Sequence, residues 1–260
     1  MMKFGVADYG MMVWDGGNYD FQQRLEDLKS IGYDGIERLE CIDAADGMYK
    51  AAAIRRMGMD FATCRGPNLE VSNYFTAALG KSYVWLSCGD VNRTVDMDLY
   101  LRRANTAVRA AARFGLRCAL HNHLGNRIEN QEELDVFMKE VPGAYLLLDI
   151  GHLHGAGGDV LGTIEKYYDR IEAVHFKDVF IKDAAKPLTE WSARLRFCEL
   201  GAGTDHVPWK EAARLLKDKG YDKWVLVEHD THLRDPLIDL KVSLMALKEI
   251  MGSVSQDQFK

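Results

Sequence analysis

The sequence has few cysteines, and they are not spaced for a structural role. Its 260 residues include five cysteines, an odd number with no CxxC spacing. A disulfide framework and a zinc site built from thiolates are therefore not expected. We expect these cysteines to be reduced and mostly to fill the core.

The sequence also lacks long apolar runs and blocks of basic residues. It contains no run of about 18 apolar residues, the length of a membrane-spanning helix, and no charged-then-apolar leader opens it. The 33 lysines and arginines are outnumbered by 39 aspartates and glutamates, which gives a net charge of −6. We therefore expect a soluble, cytoplasmic protein that binds neither nucleic acid nor membranes, with self-association left open.

The sequence does contain a repeated unit of an amphipathic helix, a glycine and a short apolar strand. A glycine directly after a helix is the expected left-handed cap. Apolar residues at helical spacing lead into six such glycines, Gly32, Gly58, Gly80, Gly115, Gly143 and Gly220. With further strands predicted at residues 3–8 and 171–176, the pattern predicts eight strands, and a last apolar helix completes eight helices.

Eight alternating strands and helices in about 250 residues are typical of a (β/α)8 TIM barrel. We predict an α/β protein with a single barrel domain over residues 1–260, and a doubly wound open sheet is the alternative. A hydrophobic content of 47% is enough for one large core. In such a barrel the active site would lie at the carboxyl ends of the strands.

Four of the predicted strands end in residues that can bind a cation or move a proton. The runs CALHNH, YLLLDIGH, IEAVHFKD and KWVLVEHD are each apolar first and polar last. They carry His121, His123, Asp149, His152, His175, Lys177 and Glu228. Burying one such group alone costs on the order of several kcal/mol, so the shared placement favours a meeting point around a cation. A single residue of this kind is more often a cap or a hydrogen-bonded core residue, but four strands with one pattern favour a site.

The donor types indicate which cation this site would bind. Nitrogen and oxygen donors suit Mn²⁺, Co²⁺, Zn²⁺ or Mg²⁺ better than metals that prefer thiolates. We predict one divalent ion held by His123, Asp149, His175 and Glu228. His121 and His123 are two residues apart and would face the same side of an extended strand, so which of them is the ligand is left open.

Six segments resemble the xylose-isomerase-like barrel superfamily, which includes tagatose and psicose 3-epimerases, inosose dehydratases, hydroxypyruvate isomerase and endonuclease IV. The segments are GYDGIE at 32–37, HNHLGNRIE at 121–129, LLLDIGHLHGAGGD at 146–159, VHFKD at 174–178, LGAGTDHVPW at 200–209 and WVLVEHDTH at 224–232. The resemblance covers nearly the whole chain. It implies a divalent metal at positions matching His123, Asp149, His175 and Glu228, and a substrate-contacting histidine matching His152.

The resemblance has one departure, at the end of the fifth strand. The epimerases use two glutamates, one on each face of the sugar, and His123 stands where one of them is expected. The run His-x-His-Leu-Gly is more similar to the inosose dehydratases. With Glu228 as a catalytic base, a second acid or base would come from His121, His152 or Glu129.

We therefore predict a metal-dependent enzyme that isomerises or epimerises a keto-sugar, phosphorylated or not, by removing the proton α to its carbonyl. The alternative is a dehydratase of a keto-sugar or keto-inositol. A phosphodiesterase like endonuclease IV is less favoured, because the early strands contribute no further histidines. A sugar-binding barrel without activity is the remaining hypothesis.

Four residues are predicted to contact the substrate besides these. They are Glu37 at the end of the second strand, Lys177, and Trp191 and Arg194 in a long connection at residues 179–203. Each has an ordinary structural alternative, such as a salt bridge for Lys177 or packing for Trp191. A connection this long in a compact barrel is typical of a lid or a binding loop.

Overall fold

The computed structural model describes residues 2–7, 11, 19–231 and 233–252, and these form a barrel of eight parallel strands surrounded by helices. The strands are β1 Lys3–Ala7, β2 Gly35–Glu40, β3 Asp60–Arg65, β4 Tyr83–Trp85, β5 Arg117–His121, β6 Tyr145–Asp149, β7 Ile171–Phe176, β8 Asp178–Ile181, β9 Leu195–Cys198 and β10 Trp224–Glu228. The helices are α1 Phe21–Ile31, α2 Ala44–Arg56, α3 Leu69–Ala78, α4 Met97–Ala112, α5 Gln131–Glu140, α6 Ile150–Gly155, α7 Val160–Tyr167, α8 Trp191–Arg194, α9 Trp209–Asp218 and α10 Pro236–Met251. The barrel order is β3, β2, β1, β10, β7, β6, β5, β4, while β8 and β9 form a separate hairpin. The predicted (β/α)8 barrel is confirmed; residue 8, the predicted end of the first strand, lies outside the described residues.

The barrel is nearly closed, and a side chain bridges the seam between its two end strands, β3 and β4. The hydroxyl of Thr63 on β3 donates a hydrogen bond to the backbone carbonyl of Tyr83 on β4 at 2.6 Å. Both residues are buried, so this bond satisfies a carbonyl that the sheet leaves unpaired at the seam. The seam is therefore held by a side chain where a backbone ladder is missing.

The helix ends follow the signals in the sequence. Asp20 caps α1 by accepting a hydrogen bond from Gln23 N, and Asn130 and Glu133 form a reciprocal capping box at α5. Five of the six glycines adopt the left-handed conformation predicted for them. In the described part of the chain, no helix has both the length and the apolar character needed to cross a membrane.

Gly143 is the exception among these glycines, and its predicted left-handed conformation is wrong. Helix α5 ends at Glu140, and Val141 has φ −122° and ψ 69°, outside the helical region. Pro142 follows Val141, and a residue before proline is sterically pushed away from the helical conformation. The proline ends this helix, so no glycine cap is needed.

The barrel interior is built from layers two residues apart along each strand. Ala62, Tyr83, Ala119, Leu147, Ala173 and Leu226 form one apolar cluster inside the barrel. Because side chains alternate between the two faces of a strand, the next inward position is two residues later. On five strands that position holds the side chains of the next layer, Trp85, His121, Asp149, His175 and Glu228.

All five cysteines are free and four are buried, as expected.

The long connection predicted at residues 179–203 is folded rather than open. Strand β8 pairs antiparallel with β9, with Val179 opposite Phe197 and Ile181 opposite Leu195. Val179 and Leu195 are buried. These two strands were not predicted from the sequence; apolar residues on one face of each let the two short strands pair and bury that face. Closure of this hairpin over a substrate stays a prediction.

Charged side chains tie the amino-terminal ends of the strands together. Asp60 on β3 accepts a hydrogen bond from Lys3 Nζ of β1 at 2.5 Å and another from Lys81 Nζ, just before β4. Burial alone would raise the pKa of Asp60, but the hydrogen bonds from the two lysines outweigh it and hold the pKa below its usual range. One carboxylate therefore links three strands, including both sides of the seam.

Asp60→Asn should destabilise the protein by about 1 kcal/mol at neutral pH, because two lysines lose their charged partner. A carboxylate with a depressed pKa contributes stability above its unfolded pKa of about 3.9, and the contribution is lost as the pH falls through the lower folded pKa. The difference between wild type and Asp60→Asn should therefore disappear in strong acid. Urea unfolding at several pH values measures it, with the exposed Asp98→Asn as control. A difference that persists at low pH would show that Asp60 acts through packing instead.

Candidate functional site

Six inward-facing side chains form a layer at the carboxyl end of the barrel. They are Glu37 of β2, Trp85 of β4, His121 of β5, Asp149 of β6, His175 of β7 and Glu228 of β10. Asp149 and His175 lie opposite each other in the β6–β7 pairing. The strand-end residues predicted to meet are thus brought together by the pleat of the barrel strands.

Asp149 lies at the centre of the layer and is fully buried. Its Oδ1 accepts a hydrogen bond from His152 N at 2.7 Å and so caps α6, which leaves Oδ2 facing the other side chains. The amide of Asn122 holds the backbone of Asp149 from the β5 side. Asn122 Nδ2 donates to Asp149 O, and Asp149 N donates to Asn122 Oδ1, both at 2.9 Å. Sequence reasoning missed Asn122, although a buried amide between two strand-end histidines was a usable signal.

Two cations neutralise the carboxylates of Asp149 and Glu228. Lys177 Nζ lies 3.0 Å from Asp149 Oδ2 and contacts Glu228 Oε2. His175 Nδ1 lies 3.5 Å from the same oxygen of Asp149 and 3.1 Å from that of Glu228. Burial alone would raise the pKa of both carboxylates, but the charge of Lys177 outweighs it and holds each pKa well below its usual range. The site is therefore a dense cluster of opposite charges with two oxygens at its centre.

His175 is oriented by a second carboxylate behind it. Its Nε2 lies 3.0 Å from Glu37 Oε2, and Glu37 Oε1 accepts a hydrogen bond from Trp85 Nε1 at 2.8 Å. Glu37 is fully buried and does not line the cavity described below, so its predicted contact with substrate finds no support in its position. A histidine with one nitrogen on a carboxylate and the other facing two further carboxylates has the arrangement typical of a metal ligand.

A group of four residues converges closely enough to hold a metal ion. One atom from each of His121, Asp149, His152 and Glu228 can be chosen so that all lie within 4.8 Å of one another. His121 Nε2 lies 3.4 Å from Asp149 Oδ2. His121 is the last residue of β5 and faces into the barrel because it lies two residues after the inward-facing Ala119, and His123 lies in the turn that follows.

His123 and His152 stack, with their ring centroids 3.7 Å apart, and Leu124 contacts both through its backbone. His123 Nδ1 lies 2.6 Å from Leu124 O, and a carbonyl only accepts, so the proton of neutral His123 is on Nδ1 and its Nε2 is an acceptor. Leu124 N donates to His152 Nδ1 at 3.3 Å, so neutral His152 carries its proton on Nε2. Burial lowers the pKa of both imidazoles, which keeps them neutral. Nε2 of His152 is buried and has no hydrogen-bond partner, so it is a donor available for a ligand.

A cavity of about 670 Å³ opens beside this cluster. His121, His123 and Glu228 line its inner end. Its other walls include Arg38, Arg65, Asn68, Trp85, Leu86, Tyr100, Asn126 and Ile128. Ligand pockets are typically about 300–1,000 Å³, so this one has room for a sugar-sized molecule in contact with Glu228 and two imidazoles.

Three predicted residues lie outside the cluster. Glu129 pairs with Arg93, whose Nη1 is 2.5 Å from Glu129 Oε2. Arg194 Nη1 donates to two carbonyls of its own hairpin, and Trp191 packs beside Gly125. None of the three lines the cavity. Their predicted catalytic or substrate-binding roles would need these side chains to move.

Comparison with known proteins identifies curated relatives and solved structures that are similar to this chain. An inosose dehydratase of Bacillus licheniformis is 33% identical to the chain over 148 residues, which is 54% of this chain and 48% of that protein. The chain spans about half the length of the curated relatives it matches.

The solved structures cover more of the chain at lower identity. A probable 3-DHS dehydratase, AsbF of Bacillus anthracis, superposes with a TM-score of 0.73 at 15% identity, over 95% of this chain and 99% of that one. A D-psicose 3-epimerase of Clostridium cellulolyticum H10 gives 0.71 at 16%, over 97% and 100%. An IOLI protein with a bound zinc atom gives 0.70 at 16%, over 96% and 98%. At these identities the likeness shows the fold.

The family assignment comes from a profile that covers most of the barrel. The family model described as Xylose isomerase-like TIM barrel matches residues 74–249, more than half of the chain, and it includes β5, β6, β7 and β10 with their strand-end side chains. The chain belongs to the Xylose isomerase-like TIM barrel family.

Proposed function

We propose that this protein is a divalent-metal-dependent enzyme that removes the proton α to the carbonyl of a keto-sugar or keto-cyclitol. The observation that carries the proposal is the convergence of Asp149, His175 and Glu228 beside a sugar-sized cavity. A carboxylate that faces the substrate beside a cation is the arrangement that such a proton transfer requires. The inosose dehydratase relative and the zinc-containing structural neighbour support this assignment.

The metal would be held by His121, Asp149, His175 and Glu228. Asp149 Oδ2, Glu228 Oε2 and His175 Nδ1 already face one another, and Glu37 orients His175 from behind. This set differs from the one predicted from the sequence only in taking His121 in place of His123. When bound, a divalent ion supplies positive charge that stabilises negative charge developing on the substrate carbonyl oxygen.

Glu228 is the best-placed base. It lines the cavity, whereas Asp149 is fully buried and engaged by α6. Charged neighbours hold its pKa low, so it is ionised at neutral pH and can accept a proton. Proton removal by Glu228 gives an enediolate-like substrate whose fate depends on the groups opposite.

The imidazole pair would decide that fate. His152 is buried and does not line the cavity, but its Nε2–H has no partner and would donate to a leaving substrate hydroxyl that reaches it. We favour dehydration, because elimination needs one base and one donor, and the curated relatives are inosose dehydratases. Isomerisation or epimerisation is the second candidate, favoured by the acceptor Nε2 of His123, which could exchange a proton with the substrate.

Asp149→Asn should weaken Mn²⁺ binding at least about tenfold, because a ligand becomes neutral at the centre of the site. Isothermal titration of metal-free protein measures the affinity. Asp135→Asn on α5, whose carboxylate pairs with Lys166 outside the barrel, is the matched control and should bind like wild type. Wild-type affinity in Asp149→Asn would contradict the proposed metal site.

Glu228→Gln should abolish exchange of the substrate α-proton with solvent while the amide oxygen keeps the side chain near the metal. Proton NMR in D₂O with a panel of ketoses and keto-inositols measures the exchange. The same spectra distinguish an unsaturated or rearranged dehydration product from an isomer or epimer. If Glu228→Gln exchanges at the wild-type rate, an imidazole takes the proton and the assignment of Glu228 is wrong.

His152 can be tested by a matched pair of amides. His152→Asn should lower kcat by about 10²–10⁴, because Asn places no donor where Nε2 was, whereas His152→Gln can place an N–H there and should lose less. Both variants should retain α-proton exchange, since Glu228 is intact. Equal loss in the two variants would indicate that His152 acts by packing rather than by donation.

A further inference from the structure

Lys177 is a fully buried lysine whose ammonium lies among three carboxylates. Nζ lies 3.0 Å from Asp149 Oδ2 and 3.0 Å from Asp230 Oδ2, and it contacts Glu228 Oε2. Its side chain is 0% exposed, while that of Asp230 is 33% exposed. The lysine therefore bridges the buried centre of the site and a carboxylate at its rim.

The stem of Lys177 is enclosed so that the ammonium can only lie in this region. A Cβ at position 151 would overlap Lys177 Cγ, so Gly151 is needed for the stem to pass α6. The ring of Phe197 lies on another side, with its centroid 4.4 Å from Nζ. An aromatic face stabilises a desolvated cation at that distance. The fold thus encloses the ammonium group in a position beside the carboxylates.

The ammonium and the proposed metal would need the same oxygens. Asp149 Oδ2 and Glu228 Oε2 are the atoms that Lys177 Nζ contacts, and they are also the atoms that His175 Nδ1 faces. A divalent ion bound to these oxygens would repel an ammonium that contacts the same two atoms. Asp230 and the Phe197 ring offer the ammonium a partner that does not involve these oxygens.

We infer that Lys177 is an internal counter-cation that contacts Asp149, Glu228 and Asp230 when no metal is bound and keeps only its contact with Asp230 when a divalent ion binds. This inference rests on the proposed metal dependence. Without Lys177, two carboxylates would be buried in the metal-free protein with only His175 to neutralise them, and uncompensated buried charge is strongly destabilising. The lysine therefore stabilises the empty site and lowers its affinity for the metal.

Lys177→Met keeps the apolar stem and removes the charge. We expect Mn²⁺ to bind at least about tenfold more tightly, and the metal-free variant to melt several degrees lower, roughly the effect of losing a buried charge partner. Saturating Mn²⁺ should restore most of that loss. Isothermal titration and thermal melts with and without Mn²⁺ are the readouts, and Lys81→Met, which removes a lysine at the opposite end of the barrel, is the control and should leave the Mn²⁺ affinity unchanged.

Asp230→Asn removes the alternative partner and should weaken Mn²⁺ binding about tenfold, because the ammonium then stays on the shared oxygens. In the double variant Lys177→Met/Asp230→Asn, the effect of Asp230→Asn should shrink to less than about twofold, since there is no lysine left to accommodate. An equal effect of Asp230→Asn in both backgrounds would overturn the inference, because Asp230 would then act on the metal by its own charge.

The remaining outcomes separate this inference from the proposed function. Weaker Mn²⁺ binding in Lys177→Met would show that the lysine supports the metal ligands rather than competing with the metal, and the inference would fail while metal dependence stands. Failure of the wild-type protein to bind Mn²⁺, Co²⁺, Zn²⁺ or Mg²⁺ would overturn the proposed function itself.

Discussion

The constraint on which this structure depends is the burial of two carboxylates, Asp149 and Glu228, in the mouth of a protein barrel. A buried carboxylate is tolerated only when it is paired and hydrogen-bonded. Lys177 and His175 provide the opposite charge, and other features follow from the need to place them. Gly151 leaves room for the lysine stem, and Glu37 balances the charge of His175. Replacing any one of these charged side chains would therefore leave another buried charge without its partner.

The strands and their end residues could be predicted from the sequence. Side chains alternate between the two faces of a strand, and the strands run in one direction, so these two facts determine which side chains come close together. The strand expected after Gly32 is β2, and the strand expected at 171–176 coincides with β7. Once an apolar residue such as Leu147 faces the interior, the residue two positions later must also face it, and here that residue is Asp149. Parallel strands in a barrel bring these positions to one end. The convergence of carboxylates and imidazoles could therefore be predicted without knowledge of side-chain contacts between distant parts of the chain.

The rest depends on contacts between distant parts of the chain. His121 faces the interior two residues after Ala119, whereas His123 lies in the turn after β5, stacked on His152 of α6. The amide of Asn122 bonds the backbone of Asp149. Glu129 turns away because Arg93, which lies before α4, takes its carboxylate. The hairpin of β8 and β9 pairs Ile181 with Leu195, which lies 14 positions later in the chain. None of these contacts can be predicted from a local sequence pattern.

The stacked rings of His123 and His152 provide a hydrogen-bond donor and an acceptor without a second carboxylate. Leu124 donates through its N–H to one ring and accepts through its carbonyl from the other, so the backbone fixes two adjacent neutral histidines in opposite tautomers. At a given pH, one ring of this neutral pair is a hydrogen-bond donor and the other is an acceptor. Two identical groups that differed only in their protonation state would not provide both roles at one pH. The arrangement does not depend on the leucine side chain, since any residue except proline supplies both backbone groups. The donor and acceptor roles of the two rings are thus set by the backbone of the turn after β5 rather than by the identity of the residue that forms it.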